Sequence, residues 1–401
     1  MAKRKQRDVL FLCQYFYPEH NSSATLPFDT ACALAAAGYT VDALCGMPHE
    51  YTDAQDVPAR ETVRGVTIRR LRYLHPGRTR RAGRLLNFFS FTLRVLLHLG
   101  ELRRHRAVIV YSNPPILPLC AWLAERLFGT KLIFVAYDIY PEIALAADSI
   151  RPGGLVDRVM QAINRRVFRR AAAVAALSEE MRDTLLRLRP ELDDARVHVL
   201  PNWAHESAPR ETAPEDGVLT VGYFGNLGLM QETETLLAAI ERLRGDRRIR
   251  FLIAGHGSKL ADFRARTADD PQVRIFDFLT GEALERALTL CDCCVVTLVP
   301  DVKGLCMPSK YYSYLQAGKA VLSVMEPDAC LAREVVSERI GAAVPPGDDA
   351  ALCAALTAMA AAPEAVRAAG ERARAIYAAR YDRSLGTERY VALVRSVLGE
   401  A

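Results

Sequence analysis

Two carboxylates and a phenol lie close together in the first half of the chain, at Asp138, Tyr140 and Glu142. Such groups can accept a proton in general base catalysis or bind the hydroxyl groups of a ligand. Pro141 and Glu142 are also typical of the first turn of a helix, where a negative charge is stabilised. Asp138 and Glu142 are therefore candidate catalytic residues, and a helix start is the alternative interpretation for both.

A lysine near a predicted helix start is the third candidate catalytic residue. Pro308 is well placed to begin a helix, which puts Ser309 and Lys310 in its first turn. A cation there opposes the helix dipole, unless an anion such as a diphosphate lies beside it. Gly304 and Ser313 flank the same segment and join this candidate anion site. The alternative is a surface lysine, whose unfavourable interaction with the helix dipole lowers stability by a few tenths of a kcal/mol.

Glycines follow two apolar segments of the second half. Gly225, Asn226 and Gly228 come directly after one of them, and Gly255 follows the next. Glycine lets backbone N–H groups approach a phosphate, but it serves equally in a tight turn between a strand and a helix. Both interpretations remain open for these loops.

The elements that carry these loops alternate regularly. Apolar strands are predicted at 9–16, 39–44, 107–111, 131–136 and 172–177, and again at 219–224, 251–254, 273–276, 294–298 and 320–324, with helical stretches between them. This alternation indicates an α/β fold of two Rossmann-like domains with parallel sheets, whose ligands bind beyond the carboxyl ends of the strands. We place the domains at 1–205 and 206–375, with a last helix at 376–401 that can cross back to the first domain.

Composition is that of a folded protein, with 50% hydrophobic and 25% charged residues in 401 and a net charge of +5. The short basic N-terminus lacks the features of a signal peptide, and the uncharged run at 107–124 is interrupted by prolines, so we expect a cytoplasmic protein. The ten cysteines are scattered through apolar runs. We expect buried thiols and no metal site, even at the cluster 291–294.

Positive charge is concentrated between residues 60 and 106, a segment that contains thirteen arginines and two acidic residues. Within this segment an apolar helical body has cationic flanks, which suits a helix lying on anionic lipid. A core helix with solvated arginines is the alternative. The residues predicted to contact the membrane are Arg80, Arg81, Arg84, Phe88, Phe89 and Phe91. No base-stacking motif accompanies the arginines, so we expect no nucleic acid.

Taken together and in order, several segments resemble glycosyltransferase family 4, especially bacterial members that build capsule, O-antigen and exopolysaccharide. The resemblance covers almost the whole chain. It depends on 14–19 (Gln-Tyr-Phe-Tyr-Pro-Glu), 112–115 (Ser-Asn-Pro-Pro), 138–142 (Asp-Ile-Tyr-Pro-Glu), 200–202 (Leu-Pro-Asn), 222–228 (Gly-Tyr-Phe-Gly-Asn-Leu-Gly) and 308–319 (Pro-Ser-Lys-Tyr-Tyr-Ser-Tyr-Leu-Gln-Ala-Gly-Lys).

The resemblance implies a GT-B-type architecture with two domains facing a central cleft. A nucleotide-sugar is then bound by the C-terminal domain and a glycan acceptor, often linked to polyprenyl diphosphate, by the N-terminal domain. It implies a hexosyltransferase (EC 2.4) that retains the anomeric configuration and needs no metal, held at the inner face of the cytoplasmic membrane. The acceptor-side residues are Asn21, Ser22, Ser23, Asn113 and Tyr140.

Three departures from the family pattern qualify this interpretation. A pair of glutamates eight positions apart is replaced by Leu305 and Ser313, and the basic residues after the Gly-Asn loop by Leu229 and Met230. The usual glycine-rich first loop is Asn-Ser-Ser at 21–23. A weakly active homologue that scaffolds a polysaccharide-assembly complex, or a nucleotide-sugar 2-epimerase, are therefore alternatives. The scaffold binds no donor, whereas the epimerase needs no second substrate.

Overall fold

The computed structural model describes residues 7–49, 52, 56–76, 81–204 and 217–400. The chain divides into two compact units, and neither is continuous in sequence. Unit 1 comprises Met1–Pro201, Gly304–Met307 and Ser384–Ala401, and unit 2 comprises Asn202–Lys303 and Pro308–Arg383. The predicted boundary at 205/206 falls at the edge of the segment 205–216, which lies outside the described residues.

Unit 1 contains a sheet of eight strands. They are β1 (Arg7–Leu12), β2 (Val41–Gly46), β3 (Arg60–Val63), β4 (Val66–Leu71), β5 (His105–Tyr111), β6 (Lys131–Val135), β7 (Ala173–Ala176) and β8 (Val197–Val199). Their spatial order is β3-β4-β2-β1-β5-β6-β7-β8, and every pair is parallel except β3 with β4. Strand order reverses between β1 and β5, which is where an open sheet of this kind has its binding crevice.

The helices described in the first part of the chain connect these strands. They are α1 (Ser22–Ala36), α2 (Arg81–Leu97), α3 (Leu99–Leu102), α4 (Pro118–Phe128), α5 (Glu142–Ala146), α6 (Leu155–Arg170) and α7 (Glu179–Leu188). The strands they cover are apolar on both faces: Val108, Ile109 and Val110 are each fully buried. Such continuous burial is typical of a parallel sheet between two helical layers.

Unit 2 contains a sheet of six parallel strands. They are β9 (Leu219–Asn226), β10 (Ile249–His256), β11 (Val273–Phe276), β12 (Cys293–Thr297), β13 (Ala320–Val324) and β14 (Gly341–Val344). The order is β11-β10-β9-β12-β13-β14, so strand order reverses between β9 and β12. Val221 and Tyr223 of β9 lie in the core of this unit with Phe251 of β10 and Val295 of β12.

The helices that follow in the chain are α8 (Glu234–Arg242), α9 (Leu260–Thr267), α10 (Gly281–Thr289), α11 (Lys310–Gln316), α12 (Cys330–Ser337), α13 (Asp349–Ala361), α14 (Pro363–Ile376) and α15 (Arg383–Leu398). A turn of π-helix at Tyr377–Tyr381 links α14 to α15. Helix α15 lies almost wholly in the part of the chain that belongs to unit 1. There Glu400 accepts hydrogen bonds from Tyr39 and Arg106.

The predicted α/β fold of two Rossmann-like domains is confirmed, and each of the ten predicted strands is present within a few residues. Strands β3, β4, β8 and β14 were not predicted. Both acids of the basic segment are paired with its own arginines, Glu61 with Arg70 and Glu101 with Arg69. Part of the expected surface charge is therefore used to build a hairpin.

No single helix among the described residues is long and apolar enough to cross a membrane. One sharply bent pair, Asp349–Ala361 with Pro363–Leu398, passes the same test on length and composition only. All ten cysteines are free, and seven of them are buried.

Candidate active site

Lys310 is held at the point where the strand order of unit 2 reverses. Its helix, α11, is fixed to β9 by Tyr314, whose hydroxyl accepts a hydrogen bond from the Phe224 N–H at 2.9 Å and donates to the Phe224 carbonyl at 3.3 Å. The lysine side chain crosses Gly225 at the end of β9. A Cβ added at Gly225 would lie in van der Waals contact with Cε of Lys310, at 3.5 Å, so the lysine side chain packs directly on this glycine.

The ammonium group of Lys310 lies over an aromatic ring. Its Nζ is 3.7 Å from the centroid of the Tyr223 ring, and the nitrogen is buried without a hydrogen-bonding partner among the described residues. The ring offers partial electrostatic compensation. Burial nevertheless lowers the pKa of Lys310 to about 7, because desolvation disfavours the charged form. An anion that reached this nitrogen would remove the cost of burying the charge.

The glycine loops of unit 2 have a structural role in this arrangement. Gly255 lies beside Gly225 on the neighbouring strand, and a Cβ at Gly255 would overlap the Gly225 carbonyl oxygen at 1.8 Å. Gly228 donates its N–H to Oε1 of Gln231, and the side chain of Asn226 lies against the Gly228 backbone. The N–H of Gly228 is therefore bonded within the protein, and the binding of a phosphate by Gly228 stays a prediction that requires Gln231 to move.

The remaining residues of the predicted anion site are divided between the units. Pro308 and Ser309 immediately precede α11, and the Ser309 side chain makes no capping hydrogen bond. Ser313, one turn after Lys310, has a buried Oγ without a hydrogen-bonding partner among the described residues. Gly304 belongs to unit 1, where an added Cβ would lie 2.4 Å from Oγ1 of Thr184. Its glycine is thus explained by packing rather than by a ligand.

In unit 1, Asp138 follows β6 at the carboxyl edge of the sheet. Ser112 Oγ accepts hydrogen bonds from the backbone N–H groups of Tyr137 and Asp138, both at 3.1 Å, which fixes the loop. The partly buried carboxyl group of Asp138 lines a pocket with Tyr140 and Asn164. The apolar wall of that pocket contains Pro115, Phe134, Ile139, Phe168 and Leu185. Desolvation in this setting raises the pKa of Asp138 to about 6.

The same loop pairs with a short segment from the second half of the sequence. Asp138 and Cys306 form an antiparallel bridge, and the Ile139 N–H donates to the Leu305 carbonyl at 2.8 Å. Leu305, one of the positions where the family has glutamate, is buried. The segment Gly304–Met307 thus holds the backbone of the loop that carries Asp138.

Glu142 forms an ion pair with Arg189. Arg189, whose side chain is 3% exposed, donates to Oε1 and Oε2 of Glu142 at 2.8 and 2.6 Å. The same guanidinium donates to the Tyr140 carbonyl at 2.9 Å, and Nδ2 of Asn164 donates to that carbonyl as well. The structure therefore corrects the prediction of Glu142 as a catalytic group, because both of its oxygens hold the loop that carries Tyr140.

The predicted acceptor-side residues lie on two loops. Asn21 precedes α1, Ser22 and Ser23 form its first turn, and the side chain of Asn21 does not cap the helix. Its Oδ1 is buried and has no partner within the described part of the chain, and the same is true of Oδ1 of Asn113, which follows β5. Both loops lie at the carboxyl ends of β1 and β5, where the sheet of unit 1 reverses its order.

The predicted membrane residues are only partly exposed. Phe91 is fully buried and contacts Tyr73, with ring centroids 5.2 Å apart, so its prediction as a lipid contact is wrong. Phe89 is 60% exposed and Phe88 is partly buried. Arg80 lies outside the described residues, and Arg81 and Arg84 lie in α2. The exposed stripe of α2 consists of Leu85, Leu86, Phe89, Leu93 and Leu97.

Sequence reasoning missed several residues that shape these sites, including Tyr223, Tyr314, Asn164 and Arg189. Tyr223 lies in a strand and Asn164 in a helix, and both read as ordinary core or surface positions. Their roles depend on partners that are distant in sequence, such as Tyr314 with Phe224. The family resemblance gave the only signal for Tyr314, since it falls within the 308–319 segment.

Two family models match consecutive parts of the chain. The family described as Glycosyl transferase 4-like domain matches residues 28–203, and the family described as Glycosyl transferases group 1 matches residues 218–362. The chain is a glycosyltransferase of the GT-B fold. Together the two matches include the Asp138 loop in the first and the Lys310 helix in the second.

Individual relatives agree with this family. The Pseudomonas aeruginosa protein WbjE, described as a probable glycosyltransferase, is 25% identical over 336 residues, covering 80% of this chain and 82% of WbjE. Escherichia coli K12 WcaI, whose description assigns it to colanic acid biosynthesis, is 23% identical over 57% of this chain and 62% of its own length. The Anabaena protein HepE, crystallised with UDP-glucose, has a TM-score of 0.67 at 15% identity and covers 97% of this chain and 100% of HepE.

Proposed function

We propose that this glycosyltransferase moves a sugar from a nucleoside-diphosphate sugar to a glycan acceptor linked to polyprenyl diphosphate, in the synthesis of a surface polysaccharide. Unit 2 binds the donor around Lys310, and unit 1 binds the acceptor beside Asp138. The anomeric configuration is retained, and no metal cofactor takes part. The enzyme works at the inner face of the cytoplasmic membrane.

The observation that carries the donor part of the proposal is the buried ammonium group of Lys310. It lies at the carboxyl end of β9, where strand order reverses, and lacks a hydrogen-bonding partner among the described residues. A nucleotide diphosphate brings negative charge to such a point. The structural likeness to a protein crystallised with UDP-glucose supports the same class of donor.

The reaction requires charge stabilisation on one side and control of a hydroxyl group on the other. As the bond between the anomeric carbon and the diphosphate oxygen breaks, negative charge develops on the diphosphate, and Lys310 stabilises it. This positive charge is the reason that the proposal includes no metal. Asp138, whose pKa of about 6 leaves it mostly ionised at neutral pH, orients the acceptor hydroxyl and accepts its proton. The hydroxyl oxygen bonds to the anomeric carbon on the face that the diphosphate leaves, so the configuration is retained.

The membrane part of the proposal is supported by α2. Its stripe of Leu86, Phe89, Leu93 and Leu97 follows helical spacing, and these four side chains are 47 to 69% exposed. A stripe of this kind on a helix with basic neighbours is typical of proteins that lie on anionic lipid. The relationship to WcaI, described as a putative colanic acid biosynthesis glycosyl transferase, supports a glycan acceptor.

The first experiment is a thermal-shift and calorimetric screen against UDP, GDP, ADP and CMP and the sugar conjugates of UDP and GDP. A ligand at about a hundredfold excess over its Kd stabilises the native state by about 2.7 kcal/mol. We expect one nucleotide to stabilise the wild type selectively and to lose its effect on the Lys310→Ala variant. A folded wild-type protein that binds none of them would favour the scaffold, for which the replacement of the glutamates by Leu305 and Ser313 is the supporting observation.

A further inference from the structure

A stack of aromatic and imidazole rings lies at the carboxyl edge of unit 1, apart from the Asp138 pocket. The ring centroids of His49 and His75 are 4.2 Å apart, and those of His75 and Tyr73 are 4.1 Å apart. Tyr73 in turn contacts the buried Phe91 of α2. His49 is exposed and His75 is partly buried, so the stack begins in the core and ends at the surface.

The stack lies at the ends of neighbouring strands, and its rings follow two of them. His49 follows β2, Tyr73 and His75 follow β4, and Gln14 follows β1. A Cβ added at Gly46, the last residue of β2, would lie 2.5 Å from Cε1 of Tyr73 and 2.8 Å from the Gln14 carbonyl oxygen. The glycine therefore lets the tyrosine ring lie directly on the end of the sheet. Ligands of parallel sheets bind at this edge.

Hydrogen bonds join the stack to the exposed stripe of α2. Gln14 donates to Oδ1 of Asn87 at 2.6 Å, and Nδ2 of Asn87 donates to the carbonyl of Leu74, which lies between Tyr73 and His75 in sequence. The Leu74 N–H donates to Oγ of Ser90 at 3.1 Å. Leu74 is itself 55% exposed, and Phe89 on the adjoining turn of α2 is 60% exposed. The exposed side chains of Leu74 and Phe89 therefore form an apolar surface next to the imidazole rings.

We propose that the stack of Tyr73, His75 and His49 binds the diphosphate of the lipid-linked acceptor, with the first part of its lipid chain lying along Leu74 and the exposed residues of α2. This inference rests on the proposed function and names the part of unit 1 that recognises the acceptor's anchor. Imidazole N–H groups donate hydrogen bonds to phosphate oxygens. The centroids of the two imidazole rings are 4.2 Å apart, so each ring can donate to one of two adjacent phosphoryl groups.

The surroundings favour an anion over a metal ion or a neutral sugar. Among the residues with described structure, no group of three histidine, cysteine or acidic side chains could hold a metal. The carboxylate of Glu19, which is 4% exposed, accepts a hydrogen bond from the His49 backbone N–H at 3.5 Å. The segment from 60 to 106 that supplies Tyr73 and His75 has eleven more arginines than acids, from thirteen and two.

The test is calorimetry with farnesyl diphosphate on the full-length protein saturated with UDP, which blocks the Lys310 site. We expect binding to the wild type and a loss of at least about tenfold in the double variant His49→Ala/His75→Ala, because two charge-assisted hydrogen bonds are removed. The variant His49→Gln/His75→Gln, which keeps a donor at each position, recovers part of the affinity. His198→Ala, on the strand at the opposite edge of the sheet from β3, is the matched control and binds like the wild type.

Three further measurements separate the possible results. Inorganic pyrophosphate binds more weakly than farnesyl diphosphate and shows the same dependence on the two histidines, whereas farnesol shows none. Vesicles of phosphatidylglycerol bind the double variant as well as they bind the wild type. If vesicle binding falls as much as farnesyl diphosphate binding, the stack is a general lipid contact and the assignment to a diphosphate is wrong.

Affinity for UDP-glucose is measured on every variant, both as a check of folding and to separate this inference from the proposed function. Equal farnesyl diphosphate affinity in the wild type and the alanine double variant overturns the inference, and so does a wild type that binds UDP-glucose but no farnesyl diphosphate. A wild type that binds farnesyl diphosphate through the two histidines but binds no nucleotide would refute the proposed function and leave the diphosphate site in place.

Discussion

The ammonium nitrogen of Lys310 lies 3.7 Å from the centroid of the Tyr223 ring, buried and without a hydrogen-bonding partner within the described part of the chain. The contact joins the first residue of α11 to the strand β9, so the charge is held in a fixed place before any ligand arrives. A buried cation with only a ring face beside it destabilises the unliganded protein. This cost is the basis of the first two predictions.

Replacing Lys310 with methionine should stabilise the unliganded protein and abolish nucleotide binding. Methionine fills a similar volume without a buried charge, and we expect the melting temperature to rise by about 2–4 °C, which is roughly 1 kcal/mol for a unit of this size. Differential scanning calorimetry with and without UDP measures both effects.

The matched control is Lys319→Met. Lys319 is also buried, but its Nζ donates to the Cys291 carbonyl at 2.7 Å, so the substitution leaves an acceptor unsatisfied. We expect a lower melting temperature and unchanged UDP binding for this variant. A Lys310→Met protein that is less stable than the wild type, or that still binds UDP, would contradict the first prediction.

Affinity for UDP-glucose should fall as pH rises. The pKa of Lys310 is about 7 in the unliganded protein, and a bound diphosphate raises it, so binding is accompanied by proton uptake. Affinity is greatest below about pH 7 and declines above it, as the unliganded lysine loses its proton. Isothermal titration between about pH 6 and pH 9 in buffers of different ionisation enthalpy measures the slope and the proton uptake. UDP-glucose is used because its diphosphate diester keeps a constant charge in this range.

Asp138→Asn should remove activity and improve stability at neutral pH. The folded-state pKa of Asp138, about 6, is above the ordinary aspartate value of 3.8. The carboxyl group therefore favours the folded state while it is protonated at low pH, and this contribution is lost as pH rises through about 6. Asparagine avoids that loss, so the variant melts higher than the wild type near pH 7 and similarly below about pH 4.

The pH dependence of the wild-type activity should follow the ionisation of the same carboxyl group, that of Asp138. We expect kcat/KM for the donor to rise with pH through an apparent pKa of about 6 and to fall again above about 7, where Lys310 loses its proton, and Asp138→Asn to lower kcat by about 10²- to 10⁴-fold. Initial rates with a radiolabelled donor across this pH range give both values. A pH profile without an acid limb near 6 would remove Asp138 from the role of base.

Glu142 should behave as a structural residue. Glu142→Ala leaves the guanidinium of Arg189 buried and unpaired, and we expect a loss of about 3–5 kcal/mol in the free energy of unfolding. The double variant Glu142→Leu/Arg189→Met removes both charges and should recover much of that loss. Urea denaturation measures the stability, and kcat per folded molecule is expected to stay close to that of the wild type. A large fall in kcat with stability retained would restore Glu142 as a catalytic candidate.

Membrane binding should depend on the exposed stripe of α2. The triple variant Leu86→Gln/Phe89→Gln/Leu93→Gln is expected to lower the affinity for anionic vesicles by at least about tenfold, because apolar area that would enter the lipid is lost. Co-sedimentation with phosphatidylglycerol vesicles measures the change. The matched control, Phe276→Gln/Leu290→Gln/Val336→Gln, changes three similarly exposed residues of unit 2 and should bind as the wild type does.

The alternation of apolar segments was enough to predict both sheets, because buried parallel strands are short continuous apolar runs. Strand β4 was missed because Arg69 and Arg70 made it look like part of a charged surface. Arg70 is buried only because Glu61 and the carbonyls of Pro58 and Tyr17 surround its guanidinium, which no local pattern reveals. Strand β14 was missed because its residues are mostly small.

The candidate sites were only partly predictable for a similar reason. Pro308 and Lys310 were correctly placed at a helix start, since that signal is local. The ring of Tyr223 under the lysine could not be foreseen, because a tyrosine in a buried strand reads as core. Phe91 and Phe89 lie two residues apart on one helix, yet one is buried and the other exposed, and periodicity alone could not say which.

The chain passes from one unit to the other at 201/202, 303/304, 307/308 and 383/384. A cut in the segment 205–216 would therefore separate the main part of unit 1 from Gly304–Met307 and from the end of the chain, which it would then contact only non-covalently. The two units cannot be exchanged as single continuous segments of sequence. A chimera that exchanges unit 2 for that of a relative must keep residues 304–307 and 384–401 from the parent that supplies unit 1, or the Asp138 loop loses its backbone partner and Tyr39 and Arg106 lose Glu400.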